Sequence, residues 1–178
     1  MPVGGVLPAQ DGTVACTRTR TPDEDPDSLG ILSCRGARCA DHGALVALDC
    51  LCFGRRAWSR RAWWEVLCAR ESHTVVITHE DAIVAASVLI RGRPTSALAS
   101  LAVAPSYRQR GLGRWLVADA IARSRRADAA WLSLEVDCSN AGAVRLYRRQ
   151  GFGTLRRFCE EGMRRLELVR RLGGARGR

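Results

Sequence analysis

A turn of small and basic residues at positions 108–113 has the composition of a phosphate-binding loop. It reads Arg-Gln-Arg-Gly-Leu-Gly and lies between an apolar segment ending at Val103 and an amphipathic segment. Small residues at Gly111 and Gly113 let the backbone approach a ligand closely, and the free N–H groups at the start of a helix point towards an anion. Neighbouring arginines add positive charge. The segment therefore predicts a site for a phosphate-bearing ligand.

Two common nucleotide-binding loops do not fit this turn. A P-loop requires Lys and then Ser or Thr after its second glycine, whereas Arg114 and Trp115 follow here. A dinucleotide fingerprint requires a third glycine, and Leu116 occupies that position. Two interpretations remain open at this point. One is the pattern R/Q-x-x-G-x-G/A between a strand and a helix, and the other is a plain turn whose arginines serve solubility.

Two further residues have the chemistry for proton transfer. Tyr147 lies in an amphipathic segment, 140–150, on the same helical face as Asn140, because the two are seven positions apart. Glu135 alternates with apolar residues in a segment with the period of a strand, so its side chain and theirs point to opposite faces. A phenol can donate a proton and a carboxylate can accept one. Core packing of Tyr147, and binding of an ammonium or an arginine by Glu135, are the alternatives.

Hydrophobic periodicity predicts the elements that position these residues. The predicted order is strand, helix, helix, three strands, helix, strand, helix and two strands, and Ser59 is suited to cap the second helix. In chain order these elements are 31–35, 41–51, 60–69, 74–78, 82–90, 97–103, 111–124, 131–136, 140–150, 152–158 and 166–169. Such an order predicts an α/β (α+β) fold with a mixed sheet.

The length of 178 residues suits one domain. Residues 1–29 are rich in Gly, Pro, Thr and Asp and cannot bury enough apolar surface to offset their ordering, so we interpret them as a flexible arm. The domain then spans 30–172, and 173–178 form a basic tail. No window approaches about 18 apolar residues, and the N-terminus has no basic segment followed by an apolar one. We therefore expect a cytoplasmic protein without a membrane partner.

The net charge and the spacing of the cysteines indicate which kinds of ligand and partner to expect. All 28 basic residues are arginine and the net charge is +10, which favours anionic partners. The eight cysteines form no C-x-x-C pair and have no nearby histidine pair, so we expect no metal, and we interpret them as reduced, mostly buried thiols. Eleven arginines follow residue 144, which leaves an arginine-rich nucleic-acid-binding module as a non-enzyme alternative. Few aromatic residues interleave with them, so we do not expect a nucleic-acid partner.

Two segments together resemble the GNAT superfamily of N-acetyltransferases. They are residues 98–114, LASLAVAPSYRQRGLGR, and residues 134–152, LEVDCSNAGAVRLYRRQGF. The resemblance covers residues 31–172 and is closest over 97–152. It implies a GNAT-like fold, with a central splayed mixed sheet flanked by about four helices. It also implies that the sheet opens between the strands at 97–103 and 131–136.

The resemblance implies that acetyl-CoA is the cosubstrate. Its pantetheine arm would lie in the opening and pair with backbone groups of Leu101 and Val103, and its pyrophosphate would bind the turn at 108–113. The full set of implied acetyl-CoA-binding residues is Leu101, Ala102, Val103, Arg108, Gln109, Arg110, Gly111, Leu112, Gly113, Arg114 and Asn140. Asn140 is equally suited to cap the helix that it opens, and the two roles are compatible.

The spacing of Glu135 and Tyr147 is similar to that in the ribosomal-protein alanine N-acetyltransferases. In that branch the matching glutamate takes the amine proton through water and the matching tyrosine protonates the sulfur of CoA. The resemblance therefore implies that Glu135 and Tyr147 are catalytic. At pH 7, deprotonation costs about 1 kcal/mol for an α-amine and about 4.6 kcal/mol for a lysine, so a lone carboxylate suits the α-amine.

We therefore expect the acceptor to be the N-terminal α-amine of a protein or peptide. A small amine, such as an antibiotic or a metabolite, is the alternative acceptor. Two segments depart from the branch where it grips acceptor peptides. Phe158 and Cys159 stand where many relatives have two tyrosines, and Met163-Arg164-Arg165 stands where relatives often have Asp-Ala. The segment around Trp58 is similar to the part of the branch that helps to form the acceptor groove.

Overall fold

The computed structural model describes Val14 and Ala15, of which only the backbone is considered, and residues 32–173. Its four α-helices are α1 (His42–Phe53), α2 (Arg60–Cys68), α3 (Leu112–Arg126) and α4 (Ala141–Arg149). Its strands are β1 (Val14–Ala15), β2 (Leu32–Gly36), β3 (Ser72–His79), β4 (Ala82–Ile90), β5 (Thr95–Val103), β6 (Trp131–Asp137), β7 (Gly153–Glu160) and β8 (Met163–Arg171). Within the described residues these strands form one sheet, in the order β1-β2-β3-β4-β5-β6-β8-β7.

The sheet is mixed and opens between its two central strands. Neighbouring strands are antiparallel except β5 and β6, which are parallel. That parallel pairing covers only three residue pairs and ends at Ala97 and Ser133, although β5 continues to Val103 and β6 to Asp137. The C-terminal halves of the two strands therefore separate. This V-shaped opening confirms the splayed mixed sheet that the sequence predicted.

Helices cover both faces of the sheet. Residues Leu45 and Leu48 of α1 and Trp63 of α2 are buried against one face, together with Val76 and Val88. The other face packs against α3 and α4, and its core residues include Val117, Ile121, Leu132, Leu134, Val136 and Tyr147. Since side chains alternate along a strand, the residues of β6 between these apolar ones face away from α3 and α4.

Capping side chains fix where two of the helices begin. The hydroxyl of Ser59 accepts a hydrogen bond from the N–H of Ala62 at 3.1 Å, as its position before α2 predicted. The amide oxygen of Asn140 accepts one from the N–H of Ala143 at 3.0 Å and so caps α4. The capping role considered for Asn140 is therefore confirmed.

From residue 32 onwards the helices and strands follow the predicted order. The last strand is longer than predicted, and one additional strand precedes residue 32. The last strand, β8, is longer than the predicted segment 166–169, because β6 and β7 pair with it along its length and so satisfy backbone groups of its arginines. Strand β1 was not predicted, since a two-residue backbone pairing with Ser33 and Cys34 has no side-chain periodicity. Apart from β1 and Gly173, the predicted arm 1–29 and tail 173–178 lie outside the described residues.

The interpretation of the cysteines as mostly buried is wrong. Cys34 is buried, whereas Cys39, Cys50, Cys68 and Cys159 are exposed. In the described part of the chain, no group of three or more His, Cys, Asp or Glu residues is close enough to hold a metal ion. None of the described helices is long and apolar enough to cross a membrane.

Candidate active site

The free edge of β5 lines the opening in the sheet. The N–H of Ala104 donates to the carbonyl of Val84 in β4 at 2.9 Å. Because backbone groups in an antiparallel pair alternate between facing the partner and facing away, those of Leu101 and Val103 point into the opening. The Val103 carbonyl accepts hydrogen bonds from Sγ of Cys52 at 3.4 Å and from Nε of Arg108 at 3.2 Å, which agrees with this direction.

Ala102 occupies a different position from its two neighbours. By the same alternation its N–H and C=O face β4, where Ala102 is paired with Ala86. Its side chain is buried in the core under α1. The expectation that all three residues of 101–103 meet the ligand is therefore corrected. Leu101 and Val103 present polar backbone groups to the opening, and Ala102 does not.

The predicted phosphate-binding turn lies at the mouth of the same opening and leads into α3. Gln109 and Gly111 adopt positive φ angles of 61° and 84°, and α3 starts at the next residue, Leu112. Left-handed residues interspersed in such a turn orient backbone N–H groups into a concavity that suits an anion. Tyr107 supports the turn, because its hydroxyl lies 2.7 Å from Nδ1 of His79 and the guanidinium of Arg110 lies 5.2 Å from its ring centroid.

The two glycines of the turn have different roles. A Cβ on Gly111 would meet no atom within 4 Å, so glycine is required there by its left-handed backbone. A Cβ on Gly113 would lie 3.3 Å from Cδ2 of Leu146 and 3.8 Å from Cδ2 of Leu101. The expectation that a side chain at Gly113 would intrude on a bound pyrophosphate is therefore corrected. The missing Cβ of Gly113 allows α3 to approach α4 and β5.

Tyr147 is packed on the α4 side of the opening. Its side chain is buried, and its ring contacts that of Phe152 at a centroid distance of 5.9 Å. Burial raises the pKa of Tyr147 to about 12. The hydroxyl makes no hydrogen bond to any residue between 32 and 173. Tyr147 therefore belongs to the core, as one interpretation expected, and its phenol is protonated at neutral pH. Its role as a proton donor stays a prediction.

Glu135 lies on the opposite face of the sheet. It alternates with Leu134 and Val136, which are buried in the same core as Tyr147, so its own side chain points away from α4. The side chain is 43% exposed, and its Oε2 lies 3.3 Å from Nη2 of Arg165 in the adjacent strand β8. A carboxylate and a phenol-bearing side chain thus lie on opposite faces of β6, the strand that borders the opening.

Arg165 is a residue of this site that the sequence did not assign. Besides Glu135, its guanidinium pairs with Glu160, and it lies 6.0 Å from the ring centroid of Phe158. Glu160 remains half exposed in this pair. Strand β8 pairs with β6, and this pairing brings Arg165 close to Glu135. The two residues are far apart in the sequence, so the sequence alone did not indicate their contact.

Two further hydrogen bonds hold the segment between α1 and α2 beside the face of the sheet that carries Glu135. Arg56 Nη1 donates to Oδ2 of Asp137, at the end of β6, at 2.7 Å. The N–H of Trp58 donates to Oδ2 of the buried Asp49 at 2.6 Å, and burial raises the pKa of that carboxyl. Asp49 could have been noticed in the sequence, because it lies in helical phase with Leu45 and Leu48. These contacts place Trp58 on the side of the sheet from which Glu135 is reached.

The residues around the opening fit the expected acetyl-CoA. The free edge of β5 offers the N–H groups of Leu101 and Val103 and the carbonyl of Leu101 to an extended, amide-containing arm. The carbonyl of Val103 is already hydrogen-bonded within the protein. The turn at Gly111 and the start of α3 offer N–H groups to a pyrophosphate. Asn140 uses its amide oxygen as the helix cap, which leaves its NH₂ group for a ligand. The exposed arginines 108, 110 and 114 surround the same turn.

Known proteins share this sequence pattern and fold. The chain is 44% identical over 62 residues to the [ribosomal protein bS18]-alanine N-acetyltransferase of Escherichia coli (strain K12). That match covers 34% of this chain and 42% of the relative. The crystal structure of the E. coli ribosomal-protein-S18-alanine N-acetyltransferase superposes with a TM-score of 0.73 and 20% identity, covering 83% of this chain and 99% of that one.

A further likeness is to the structure of yncA from Salmonella typhimurium with its cofactor acetyl-CoA. It has a TM-score of 0.68 and 18% identity, and covers 83% of this chain and 97% of that one. At such identities the two structural likenesses show the fold. The family model that describes the acetyltransferase (GNAT) family matches residues 44–152, which is more than half of the chain. This match confirms the predicted fold and, at the level of the family, the predicted cosubstrate acetyl-CoA. The chain belongs to the acetyltransferase (GNAT) family.

Proposed function

We propose that this protein transfers the acetyl group of acetyl-CoA to the α-amino group of a protein N-terminus. The observation that carries the proposal is the placement of Glu135 and Tyr147 on opposite faces of the sheet beside its opening. A proton acceptor on one face and a proton donor on the other are what acyl transfer from a thioester to an amine requires. An acceptor of this kind, such as a ribosomal protein, would place the reaction in the cytoplasm.

The carboxylate of Glu135 accepts the proton that the incoming ammonium must lose. Acetyl-CoA, when bound, supplies an activated acetyl thioester. The N–H groups of Leu101 and Val103 that point into the opening are available to polarise the thioester carbonyl. The phenol of Tyr147 then gives its proton to the departing sulfur. Because burial keeps the pKa of Tyr147 near 12, the hydroxyl carries that proton throughout the physiological pH range.

The exposure of Glu135 favours the α-amine of a peptide N-terminus over the side-chain amine of an internal lysine as the acceptor. At pH 7, deprotonation of an α-amine costs about 1 kcal/mol, whereas deprotonation of a lysine side chain costs about 4.6 kcal/mol. Glu135 is 43% exposed and is paired with Arg165, and a single carboxylate suits the amine that is easier to deprotonate. The alanine N-acetyltransferase that this chain matches carries the same acceptor class in its name.

Acetylation of matched peptides tests this proposal. One peptide has a free N-terminal alanine and no lysine. Its partner has the same sequence with a blocked N-terminus and one internal lysine, and a set of small amines forms the third arm. We expect acetyl-CoA-dependent product, by mass spectrometry, mainly with the free N-terminus. Equal or faster acetylation of the lysine peptide or of a small amine would reject the proposed acceptor, although the acetyltransferase assignment would stand.

A further inference from the structure

A second basic cleft lies between α4 and the hairpin of β7 and β8. Its volume is about 440 Å³, within the usual range for ligand sites. Arg145 and Arg148 of α4 form one wall, and Arg157 of β7 and Arg164 of β8 form the other. The rest of the lining is apolar or weakly polar: Cys138, Ala141, Val144 and Leu166. The cleft therefore combines four positive charges with an apolar floor.

The four arginines have no ion-pair partner among residues 32–173. All four side chains are exposed, and none forms a salt bridge or hydrogen bond with the part of the chain that the structure describes. The lining contains no carboxylate. Other arginines in the same strands are paired, Arg156 with Glu167 and Arg165 with Glu160. Four like charges gathered in a cleft repel one another, and an anion bound there would relieve that repulsion.

This cleft is separate from the acetyl-CoA opening. Its α4 residues, 141, 144, 145 and 148, recur at helical spacing and share one face. The face of α4 that meets α3 is a different one. It contains Leu146, whose Cδ2 limits the space at Gly113, and Gln150, whose Nε2 lies 3.5 Å from the carbonyl of Arg114. The cleft therefore lies on the far side of α4 from the turn at 108–113.

The hydrogen-bonding capacity of the lining restricts the ligand. Each guanidinium offers five N–H donors and no acceptor, and the remaining side chains add no strong acceptor. A peptide placed here would leave its own backbone N–H groups without side-chain partners, which is costly against an apolar floor. A phosphodiester backbone carries only acceptors at its phosphates, and it repeats a negative charge along its length. It therefore matches both the charge and the donor-only lining.

We propose that this cleft binds the sugar–phosphate backbone of a single-stranded nucleic acid. The cleft contains no aromatic side chain, so bases are not stacked there and binding is independent of sequence. This proposal revises the expectation of no nucleic-acid partner. The sequence showed the number of arginines, and the fold shows that four of them converge in a cleft whose lining contains no carboxylate.

Fluorescence anisotropy with a labelled RNA strand of about twelve nucleotides tests the proposal. Four neutralised phosphates predict a slope near −2.8 for the logarithm of the association constant against that of the salt concentration. R145Q/R148Q and R157Q/R164Q should each weaken binding roughly tenfold and reduce the slope by about 1.4. The matched control is R70Q/R126Q, which removes the same charge from exposed arginines outside the cleft. It should change the affinity less than about twofold.

Several results would overturn the proposal. If R70Q/R126Q weakens RNA binding as much as the cleft variants do, the affinity depends on the net charge of the protein and the cleft is not a specific RNA-binding site. Stronger competition by a polyglutamate peptide than by a DNA strand would make it an acidic-peptide site. A matching loss of CoA affinity in the cleft variants, measured by calorimetry, would assign the four arginines to the phosphates of CoA. Unchanged CoA affinity and unchanged melting temperatures are the expected results.

Discussion

Nη2 of Arg165 in β8 lies 3.3 Å from Oε2 of Glu135 in β6, the strand that borders one side of the opening. An acceptor ammonium that approaches Glu135 must share or replace this contact. Arg165 is also paired with Glu160, so it can be withdrawn from Glu135 without becoming a solitary charge. We therefore expect Arg165 to limit access of the acceptor to Glu135, and its removal provides the first prediction.

R165Q should lower the KM for an N-terminal peptide by about 1.4-fold to fivefold, because an exposed ion pair of this kind contributes about 0.2–1 kcal/mol. The affinity for acetyl-CoA should not change, because Arg165 lies on the face opposite α4. Steady-state kinetics with the two substrates varied separately measure both constants. A large fall in kcat at unchanged KM would show instead that Arg165 positions Glu135.

Gly111 should be needed for its backbone conformation. G111A places a Cβ in open space but in a left-handed backbone with φ 84°, which costs about 1 kcal/mol and favours rearrangement of the turn. We expect CoA affinity, measured by calorimetry, to fall about tenfold. G43A is the control, because Gly43 in α1 also has open space around its Cβ and no positive φ. An unchanged affinity in G111A would argue against phosphate binding at this turn.

Gly113 should matter for packing. The side chain in G113V would press against Leu146 and Leu101, and we expect a loss of about 1–3 kcal/mol in the free energy of unfolding. Denaturant titration of G113V beside G113A measures this, with the smaller alanine giving the smaller loss. A valine variant as stable as the wild type would mean that the contact between α3 and α4 is looser than the structure indicates.

Tyr147 should act through its hydroxyl. Y147F should lower kcat by about 10²–10⁴-fold with little change in CoA affinity, because it removes the proton donor and keeps the ring against Phe152. A phenylalanine variant as active as the wild type would assign protonation of the sulfur to another group or to water.

The alkaline stability of the protein gives an independent check on the burial of Tyr147. The pKa of Tyr147 is about 12 in the folded protein and near 10 when the chain is unfolded. The stabilisation from this shift is complete below pH 10 and is lost as the pH rises from 10 to 12, because only the unfolded state ionises there. Between pH 8 and pH 11, urea titration should show the wild type losing about 1 kcal/mol more than Y147F. Equal losses would place the hydroxyl in solvent.

Periodicity and short motifs predicted much of the fold. Strand β4 was predicted at its observed bounds, and Ser59 and Asn140 cap the helices that their positions indicated. Such features are local, so that a few neighbouring residues decide them. The alternation of Glu135 with Leu134 and Val136 also gave its direction correctly. The opening between β5 and β6 was implied by the resemblance to the family, because no local property of either strand determines where their pairing ends.

The remaining features depend on which segments the fold brings together. The contact of Arg165 with Glu135 requires β8 to lie beside β6, and the packing of Gly113 on Leu146 requires α4 to lie against α3. Ala102 differs from Leu101 and Val103 because β4 occupies one edge of β5. In each case the sequence showed the residue type, and the partner came from a distant segment.

The most direct test of the proposed reaction is the pH dependence of E135Q. Glutamine keeps the size of the side chain and removes the proton-accepting charge, so acetyl-CoA should still bind. With an N-terminal alanine peptide, kcat/KM near pH 7 should fall by about 10²-fold or more. Much of this loss should disappear at high pH, where the amine is already deprotonated. A raised peptide KM at nearly constant kcat, equal at all pH values, would contradict the account, because it would show that Glu135 only binds the acceptor.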